Sequence, residues 1–383
     1  MTLSPQGKPG KGERFPLTPH RGSGQWCKKI RGRIFYFGAI ADRDAALRRY
    51  LSEKDDLTAG RKPRPKVTEN QGITLLELCN KFLTFKQGLV DSAELSRKTF
   101  RDYHDTCQLF LSVAGKDRRV DDLDAMDFQA MRAKIARGIG PVHLSNRIRV
   151  IRIALKFAYD SALIDRPVRY GQAFNMPRKQ ILRAARQELG SRMLEADQIR
   201  HMLGVTDPLM RAMILLGVNC GFGGGDLGQL PQRVLDLDGG WVEWPRPKTS
   251  IERRCPLWPE TVNALRKAIK MRVTTKDKEL DKLVFLTHTG ACWYKDTKAN
   301  PLSAEFRKLL NKTGLYRRGL GFYSLRRTFE TIAGSTGDQI ATDLIMGHAD
   351  ASMAAVYRQR VDDERLLKVS NHVHDWLFLE TNS

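Results

Sequence analysis

With 383 residues, 41% of them hydrophobic, the chain is long enough to bury two or three separate cores. Lysine and arginine number 65 against 43 acidic residues, a net charge of +22 that favours a polyanionic partner. Nucleic acid comes before an anionic membrane surface on that count, and a surplus kept only for solubility is the plain alternative. No apolar run reaches the ~18 residues of a membrane span and no h-region follows the amino terminus. The six scattered cysteines (Cys27, Cys79, Cys107, Cys220, Cys255, Cys292) form neither a CxxC pair nor a Cys/His cluster. That spacing speaks against a disulfide scaffold and a zinc module, so the expectation is a cytoplasmic protein with reduced thiols, no metal and no cofactor.

Residues 1–22 are rich in Pro, Gly and basic side chains, which predicts a flexible basic arm. Residues 23–66 follow as a small basic unit. In "GQWCKKIRGRIFYFGAIAD", Trp26, Ile30, Ile34, Tyr36 and Phe37 suggest two short strands turning at Arg31-Gly32. In "DRDAALRRYLSEKDDL", Ala46, Leu47, Tyr50, Leu51 and Leu57 recur at helical spacing. From residue 1 to 66 there are 16 Lys/Arg and 6 Asp/Glu, a net +10, nearly half of the total charge. Lys28, Lys29, Arg31 and Arg33 on the predicted hairpin are therefore candidate DNA contacts.

Residues 72–175 have a helical texture. "TLLELCNKFLTFKQ" opens with a capping-box pattern, Thr74 and Glu77. Three more helices follow, in "LSRKTFRDYHDTCQLFLSVAG", "DAMDFQAMRAKIARG" and "PVHLSNRIRVIRIALKFAYDSAL". The last sets Arg147, Arg149, Arg152 and Lys156 against an apolar face of Ile148, Ile151, Leu155 and Tyr159. The basic residues either lie on a duplex backbone or are ordinary solvated surface. "MPRKQILRAARQELGSRM" reads as a connector, and a third domain spans 190–383. It consists of helices around three short strands in "LDLDGGWVEWPRPKTSIERRCPLWP", with a further short strand in "KLVFLTHTG". The final helix, in "DDERLLKVSNHVHDWLFLE", carries Leu366, Val369, Val373, Trp376, Leu377 and Phe378, more apolar residues than a solvated tail needs.

Four pieces of the last domain carry chemistry. His348, in "MGHADASMAAVY", precedes Tyr357 by nine residues; Arg326 lies in "YSLRRTFETIAG"; Lys248 lies in the hairpin "PRPKTSIERRCPL". In this order and spacing the chain resembles the tyrosine recombinase (phage integrase) family, whose pattern is a Leu-Arg-x-Thr-Phe helix, a Gly-His turn and a tyrosine nine residues later. The resemblance implies a multidomain, mainly α fold: a small β/α arm-type unit, a helical (SAM-like) core-binding domain, and an α-rich catalytic domain with a small three-stranded antiparallel sheet.

The residue types suit phosphodiester cleavage without metal or ATP. Tyr357 would attack and form a covalent 3′-phosphotyrosyl intermediate. Arg326 would hold the nonbridging oxygens with its planar donors. Lys248 would protonate the leaving 5′ oxygen, and His348 would bind the pentavalent phosphate. Tyr323 stands where the family usually has a histidine, three residues before Arg326, and can still donate a hydrogen bond. Each of the four, taken singly, is an ordinary surface or salt-bridge residue; only the ordered set points to the chemistry.

The family's first motif reads Thr-Gly-Leu-Arg-x-x-Glu-Leu. Here it aligns with "CGFGGGDL", residues 220–227, so that Asp226 matches the acidic residue and Gly223 falls at the first catalytic arginine. A phosphate-cradling nucleotide loop is disfavoured, because no Gly-Lys-Ser/Thr follows the glycines and Asp226 would repel phosphate. A missing transition-state donor costs on the order of 10²- to 10³-fold in rate. Arg246, Arg253 and Arg254 on the neighbouring hairpin are candidates to compensate. Two readings follow. One is a site-specific recombinase or integrase acting on double-stranded DNA; the other is a relative that binds DNA and has lost turnover. A relaxing topoisomerase is a lesser third. In the resembled family the terminal helix docks on a neighbouring protomer, which implies a dimer or tetramer on DNA; packing on its own domain is the alternative. DNA binding would associate the protein with the nucleoid.

Overall fold

The computed structural model of the chain describes residues 15–58, 72–295, 300–350 and 352–379. It divides into two compact units, residues 1–73 and 74–383.

In the first unit, β1 (Thr18–His20), β2 (Gln25–Ile30) and β3 (Arg33–Ala39) form an antiparallel meander backed by α1 (Arg43–Thr58). Arg31 takes a left-handed conformation (φ 48°) beside Gly32 (φ 81°) at the β2–β3 turn, as the Arg31-Gly32 pair foretold. Leu17, Phe37, Ala46 and Leu57 form the core, with Phe15, Trp26 and Tyr50 packed against it. The boundary of the arm moves accordingly. Residues 15–22 belong to the folded unit, because Phe15 and Leu17 have a core to enter; residues 1–14 of the expected arm lie outside the described residues. Ile34 and Tyr36, paired across from Lys29 and Cys27, are exposed on the face away from the core.

The second unit begins with four helices, α2 (Leu75–Asp91), α3 (Arg97–Ala114), α4 (Ala125–Ile135) and α5 (Pro141–Asp160). The capping box is present: Thr74 and Glu77 satisfy each other's backbone N–H groups. Pro141 opens α5, where a missing N–H costs nothing. Leu144, Ile148, Ile151, Leu155 and Ala158 face inward, while Tyr159 is exposed rather than part of the apolar face. A 3-10 turn at Gln172–Phe174 packs on α4, and Phe174 is buried against Phe128 with ring centroids 5.0 Å apart. The connector contains a helix of its own, α6 (Lys179–Gln187), with no buried residue.

The remaining helices are α7 (Ala196–Val205), α8 (Pro208–Asn219), α9 (Gly224–Gly228), α10 (Pro259–Lys270), α11 (Lys278–Asp281), α12 (Pro301–Lys312), α13 (Tyr323–Gly334), α14 (Gln339–Met346), α15 (Met353–Tyr357) and α16 (Asp363–Phe378). β4 (Leu235–Asp236), β5 (Trp241–Glu243) and β6 (Arg254–Pro256) form the small antiparallel sheet. The strand expected in "KLVFLTHTG" is reduced to isolated bridges, Pro231 with Leu283 and Leu286 with Cys292. α8 is buried on every side from Ala212 to Asn219 and contacts α10, α13 and α16.

The last residue of α8 pins the site in place. Asn219 is fully buried and bonded at both ends of its amide. Its Nδ2 donates to the Pro256 carbonyl (3.0 Å) and to Ser370 Oγ (3.2 Å); its Oδ1 accepts from the Trp258 N–H and the Thr261 hydroxyl (both 3.0 Å). A satisfied buried amide specifies one arrangement of α8, β6, α10 and α16, and the glycine-rich turn starts at the next residue.

α16 lies on its own domain. Leu366, Val369, Val373 and Leu377 are buried in the core, and Trp376 and Phe378 pack against it. The apolar stripe is therefore used within the chain, and none of the buried four is left to dock on a neighbour. Val373→Asp places a charge in that core with no partner, so the expected result is a loss of at least about 3 kcal/mol of stability, read by thermal melting. A variant that stays folded and changes only in assembly state would mean the residue faces a partner.

Candidate active site

The glycine-rich turn, the hairpin β5–β6 and the turn after α14 converge on Arg326. This side chain is 1% exposed although it is charged. Its Nη1 donates to the Gly221 carbonyl (2.5 Å) and its Nη2 to the Met346 carbonyl (2.8 Å). Gly221 is left-handed (φ 63°), and a Cβ there would press on Met346 and Phe329 at 3.2 Å, so the turn that presents this carbonyl requires glycine. Gly347, also left-handed (φ 62°), caps α14, and a Cβ on it would overlap Arg253 and Arg246 at 2.7–2.9 Å. The absent side chain at 347 makes room for Arg253 and Arg246 beside Arg326. Burial is the main cause that lowers the Arg326 guanidinium from its ordinary value; the nearby Arg246 adds to it, while Asp226 and Tyr323 oppose it.

Gly223 has ordinary backbone angles (φ −93°) and stands at the start of α9. Its N–H donates to Asp226 Oδ2 at 2.7 Å, and a Cβ there would lie 3.9 Å from the Tyr323 ring. Of the glycines of "CGFGGGDL", Gly221 is the one held in a left-handed turn, and Gly223 to Gly225 open a helix of five residues capped by its own carboxylate. Tyr323, at the first turn of α13, is 52% exposed, with the Arg327 guanidinium 5.4 Å from its ring centre.

The hairpin continues past β5 and β6. The Trp244 N–H donates to the Arg253 carbonyl and the Arg246 N–H to the Ile251 carbonyl, leaving Lys248 exposed at the tip. In this register Trp244, Arg246 and Arg253 share one face and Arg254 lies on the other. Arg253 is 3% exposed: its Nε donates to the Trp244 carbonyl (3.1 Å), and its guanidinium sits 4.3 Å from the Phe222 ring centre and 3.3 Å from Asp226 Oδ1. Arg246 reaches the Gly347 carbonyl at 3.4 Å. Arg254 turns outward to a two-pronged pair with Asp363 (2.7 Å each) and also meets Glu243. It is already tied to two carboxylates, so of the three candidates to compensate, the two near Gly223 and Arg326 are Arg246 and Arg253.

His348 Nδ1 lies 3.2 Å from Asp343 Oδ1 and 3.6 Å from Glu330 Oε2. Donating from Nδ1 fixes the ring and leaves Nε2 for a ligand. Glu330, Asp343 and His348 are also the one group among the described residues whose ligand atoms could gather round a cation, within 4.8 Å of one another. The histidine–aspartate hydrogen bond accounts for the same geometry. Neither acid was singled out in the sequence: Asp343 precedes His348 by five residues, off any helical face, and only the left-handed turn at Gly347 folds the histidine back on it.

A cavity of about 760 Å³ opens here, lined by Arg253, Arg254, Asp343, His348, Arg358 and Arg360 among others. Tyr357 ends α15, which is shorter than the helix expected over "MAAVYRQRV", and is 77% exposed. The next residue is anchored by the pair Arg358–Asp350 at 3.1 Å. Lys248 and Tyr357 make no hydrogen bond to the arginine cluster, whereas Arg326, Arg246, Arg253, Asp226, Gly223 and the Gly347–His348 turn are brought together.

The basic residues expected to contact DNA divide into two sets. Lys29, Arg31 and Arg33 are exposed on the hairpin, and Lys28 lies 4.7 Å from the Tyr50 ring centre. On α5, Arg149 is exposed, with Nη2 3.1 Å from Asn146 Oδ1. Arg147 ties α5 to α3 through Thr106 Oγ1 (2.5 Å), and Arg152 covers the Tyr170 ring at 4.8 Å. These two have structural partners that the helical pattern did not reveal.

Residues 192–364 match the model of the phage integrase family. The structure is similar to a lambda integrase dimer bound to a COC′ core site, at 17% identity and a TM-score of 0.58, covering 93% of this chain and 99% of that one. It is similar to a lambda integrase tetramer bound to a Holliday junction, at 18% identity and 0.57, covering 92% and 99%. It is also similar to the Tn1549 transposon integrase in complex with a circular intermediate DNA, at 16% identity and 0.57, covering 76% and 97%. At these identities the likeness is one of fold. No curated protein sequence matches the chain. No helix among the described residues is long and apolar enough to cross a membrane. Residues 192–364, with their arginine-centred site and three-stranded sheet, form a domain of the phage integrase (tyrosine recombinase) family.

Proposed function

We propose that the protein is a site-specific DNA recombinase that breaks and rejoins double-stranded DNA through a 3′-phosphotyrosyl intermediate on Tyr357, without metal or ATP. The observation that carries this reading is the convergence of buried Arg326 with the Gly347–His348 turn and the Lys248-bearing hairpin. Arg326 presents a planar donor set to a phosphodiester, and His348, with Nδ1 held by Asp343, offers Nε2 to the same group. Lys248, at the hairpin tip, protonates the leaving oxygen. The bond energy stored in the phosphotyrosine lets a second DNA end rejoin without a nucleotide cofactor.

The duplex lies between the helical domain and the catalytic domain, with Arg149 on phosphates and Lys29, Arg31 and Arg33 adding contacts from the amino-terminal unit. The lambda and Tn1549 integrases named above were solved on DNA, the lambda enzyme as a dimer and a tetramer, which supports assembly of more than one copy on the substrate. The buried stripe of α16 serves its own domain, so a contact made by this helix with a second copy would use its outer residues, such as Leu367, which is exposed.

A nicked suicide duplex pooled over random sequences tests the reading. The expected result is a protein–DNA adduct that survives denaturant and forms equally well in chelator and without nucleotide. Salt-dependent binding with no adduct would establish instead the relative that binds without turnover.

A further inference from the structure

We propose that Arg253 supplies the positive charge that position 223 lacks, as the second guanidinium of a phosphate site built with Arg326. The inference rests on reading this site as one that receives a phosphodiester, and it concerns how an active site with glycine at 223 retains two arginines.

The carboxylate of Asp226 links the two positions. Its Oδ2 accepts the Gly223 N–H at 2.7 Å, and its Oδ1 lies 3.3 Å from Arg253 Nη1. A Cβ added at 223 would sit 3.3 Å from the same Oδ2. An arginine growing from 223 and the arginine reaching in from 253 therefore meet the same acid. Asp226 is itself only 7% exposed, and a buried carboxylate requires a cation. The resembled family's motif has an arginine three residues before that acid; here position 223 is glycine and Arg253 is the ion-pair partner.

The charge balance of the cluster then points to an anion. Arg253 and Arg326 are both buried, Arg246 is half-buried beside them, and Asp226 is the acid that opposes them. Guanidinium groups do not discharge in proteins, so the excess positive charge stays. Donors are also in excess. Arg253 Nη2, Arg326 Nε and Arg246 Nε are buried without hydrogen-bond partners, and Arg253 Nη1 has only its ion pair with Asp226. Unpartnered buried donors on several converging cations fit a tetrahedral anion with several acceptor oxygens. Arg246 is the rival source of the charge, but its Nη1 is directed at the Gly347 carbonyl and it has no ion pair with Asp226.

The test moves the charge. Binding of tungstate, a tetrahedral dianion, is measured by titration calorimetry on the full chain and on Arg253→Gln, Arg253→Lys, Arg246→Gln and the double variant Gly223→Arg/Arg253→Gln. Adduct formation on a nicked duplex is followed in parallel. Arg253→Gln is expected to weaken tungstate binding about tenfold or more and to slow adduct formation on the order of 10²- to 10³-fold. Duplex affinity should change by less than about threefold. Arg253→Lys retains part of both, and the double variant restores most of both.

The proposal is overturned if the wild-type chain does not bind tungstate, or if Arg253→Gln binds it unchanged. It is also overturned if Arg246→Gln alone reproduces the loss. Should Arg253→Gln fail to fold, the double variant and Arg253→Lys decide: a folded double variant that does not recover binding reduces Arg253 to a structural partner of Asp226. Tungstate binding that follows Arg253 in a chain forming no adduct would instead refute the recombinase reading and leave this assignment standing.

Discussion

Replacing Tyr357 with phenylalanine removes the denaturant-resistant adduct and leaves folding and duplex binding as they were. Phenylalanine lacks the hydroxyl that must attack, so the loss is complete within detection rather than graded. The side chain is 77% exposed at the end of a five-residue helix, and its hydroxyl is bonded to nothing in the cluster. Surface changes of this kind stay within about 0.5 kcal/mol. Denaturing gels, thermal melting and a duplex-binding isotherm check the three parts. An adduct that persists in Tyr357→Phe would place the covalent bond on another nucleophile and remove the basis for the ordered His348–Tyr357 pair.

Arg326→Lys has the second large effect, and it separates charge from geometry. Lysine keeps the positive charge but loses the planar fork whose two ends bind the Gly221 and Met346 carbonyls. One point donor cannot hold both turns and still face a phosphate. At least one buried carbonyl is left unpaired, a cost of about 1–3 kcal/mol visible in thermal melting. Cleavage should fall on the order of 10³-fold or more, as for a lost arginine at a transferring phosphoryl group. Near-wild-type cleavage in Arg326→Lys would mean that Arg326 holds the turns together and does not act on the phosphate. Together the two variants distinguish loss of the nucleophile from loss of the site that receives the phosphodiester.

Local patterns carried most of the architecture. The capping box at Thr74, the Arg31-Gly32 turn, proline at the start of α5 and the apolar spacing of α16 depend on neighbours within a few residues, so they are readable in one dimension. The pieces of sequence that misled were those whose fate depends on a distant partner. Residues 15–22 look like a basic arm until Leu17 finds Phe37 and Leu57. "KLVFLTHTG" has strand composition but meets other chain only at single bridges. Arg147 and Arg152 read as part of a basic stripe, either on a duplex or solvated, and their contacts with Thr106 and Tyr170 on other segments were not legible in it.

The sequence by itself determined the order and spacing of Lys248, Arg326, His348 and Tyr357, the glycine at position 223 and the basic surplus of residues 1–66. These are properties of single residues and of short intervals, and the chemistry they allow follows from the residue types. Only the tertiary structure decided which of three hairpin arginines stands beside Asp226, that Asp343 holds His348, and that the apolar stripe of α16 is used within its own domain. Strand register sends Arg253 inward and Arg254 outward, though the two are adjacent in the chain. A left-handed glycine folds His348 back onto its own helix. The α16 stripe fits its own core or a neighbour equally well in sequence, and in the folded chain it lies against α13, α7, α14 and β6. Each of these outcomes is fixed by packing between segments far apart in the chain, and no local pattern encodes it.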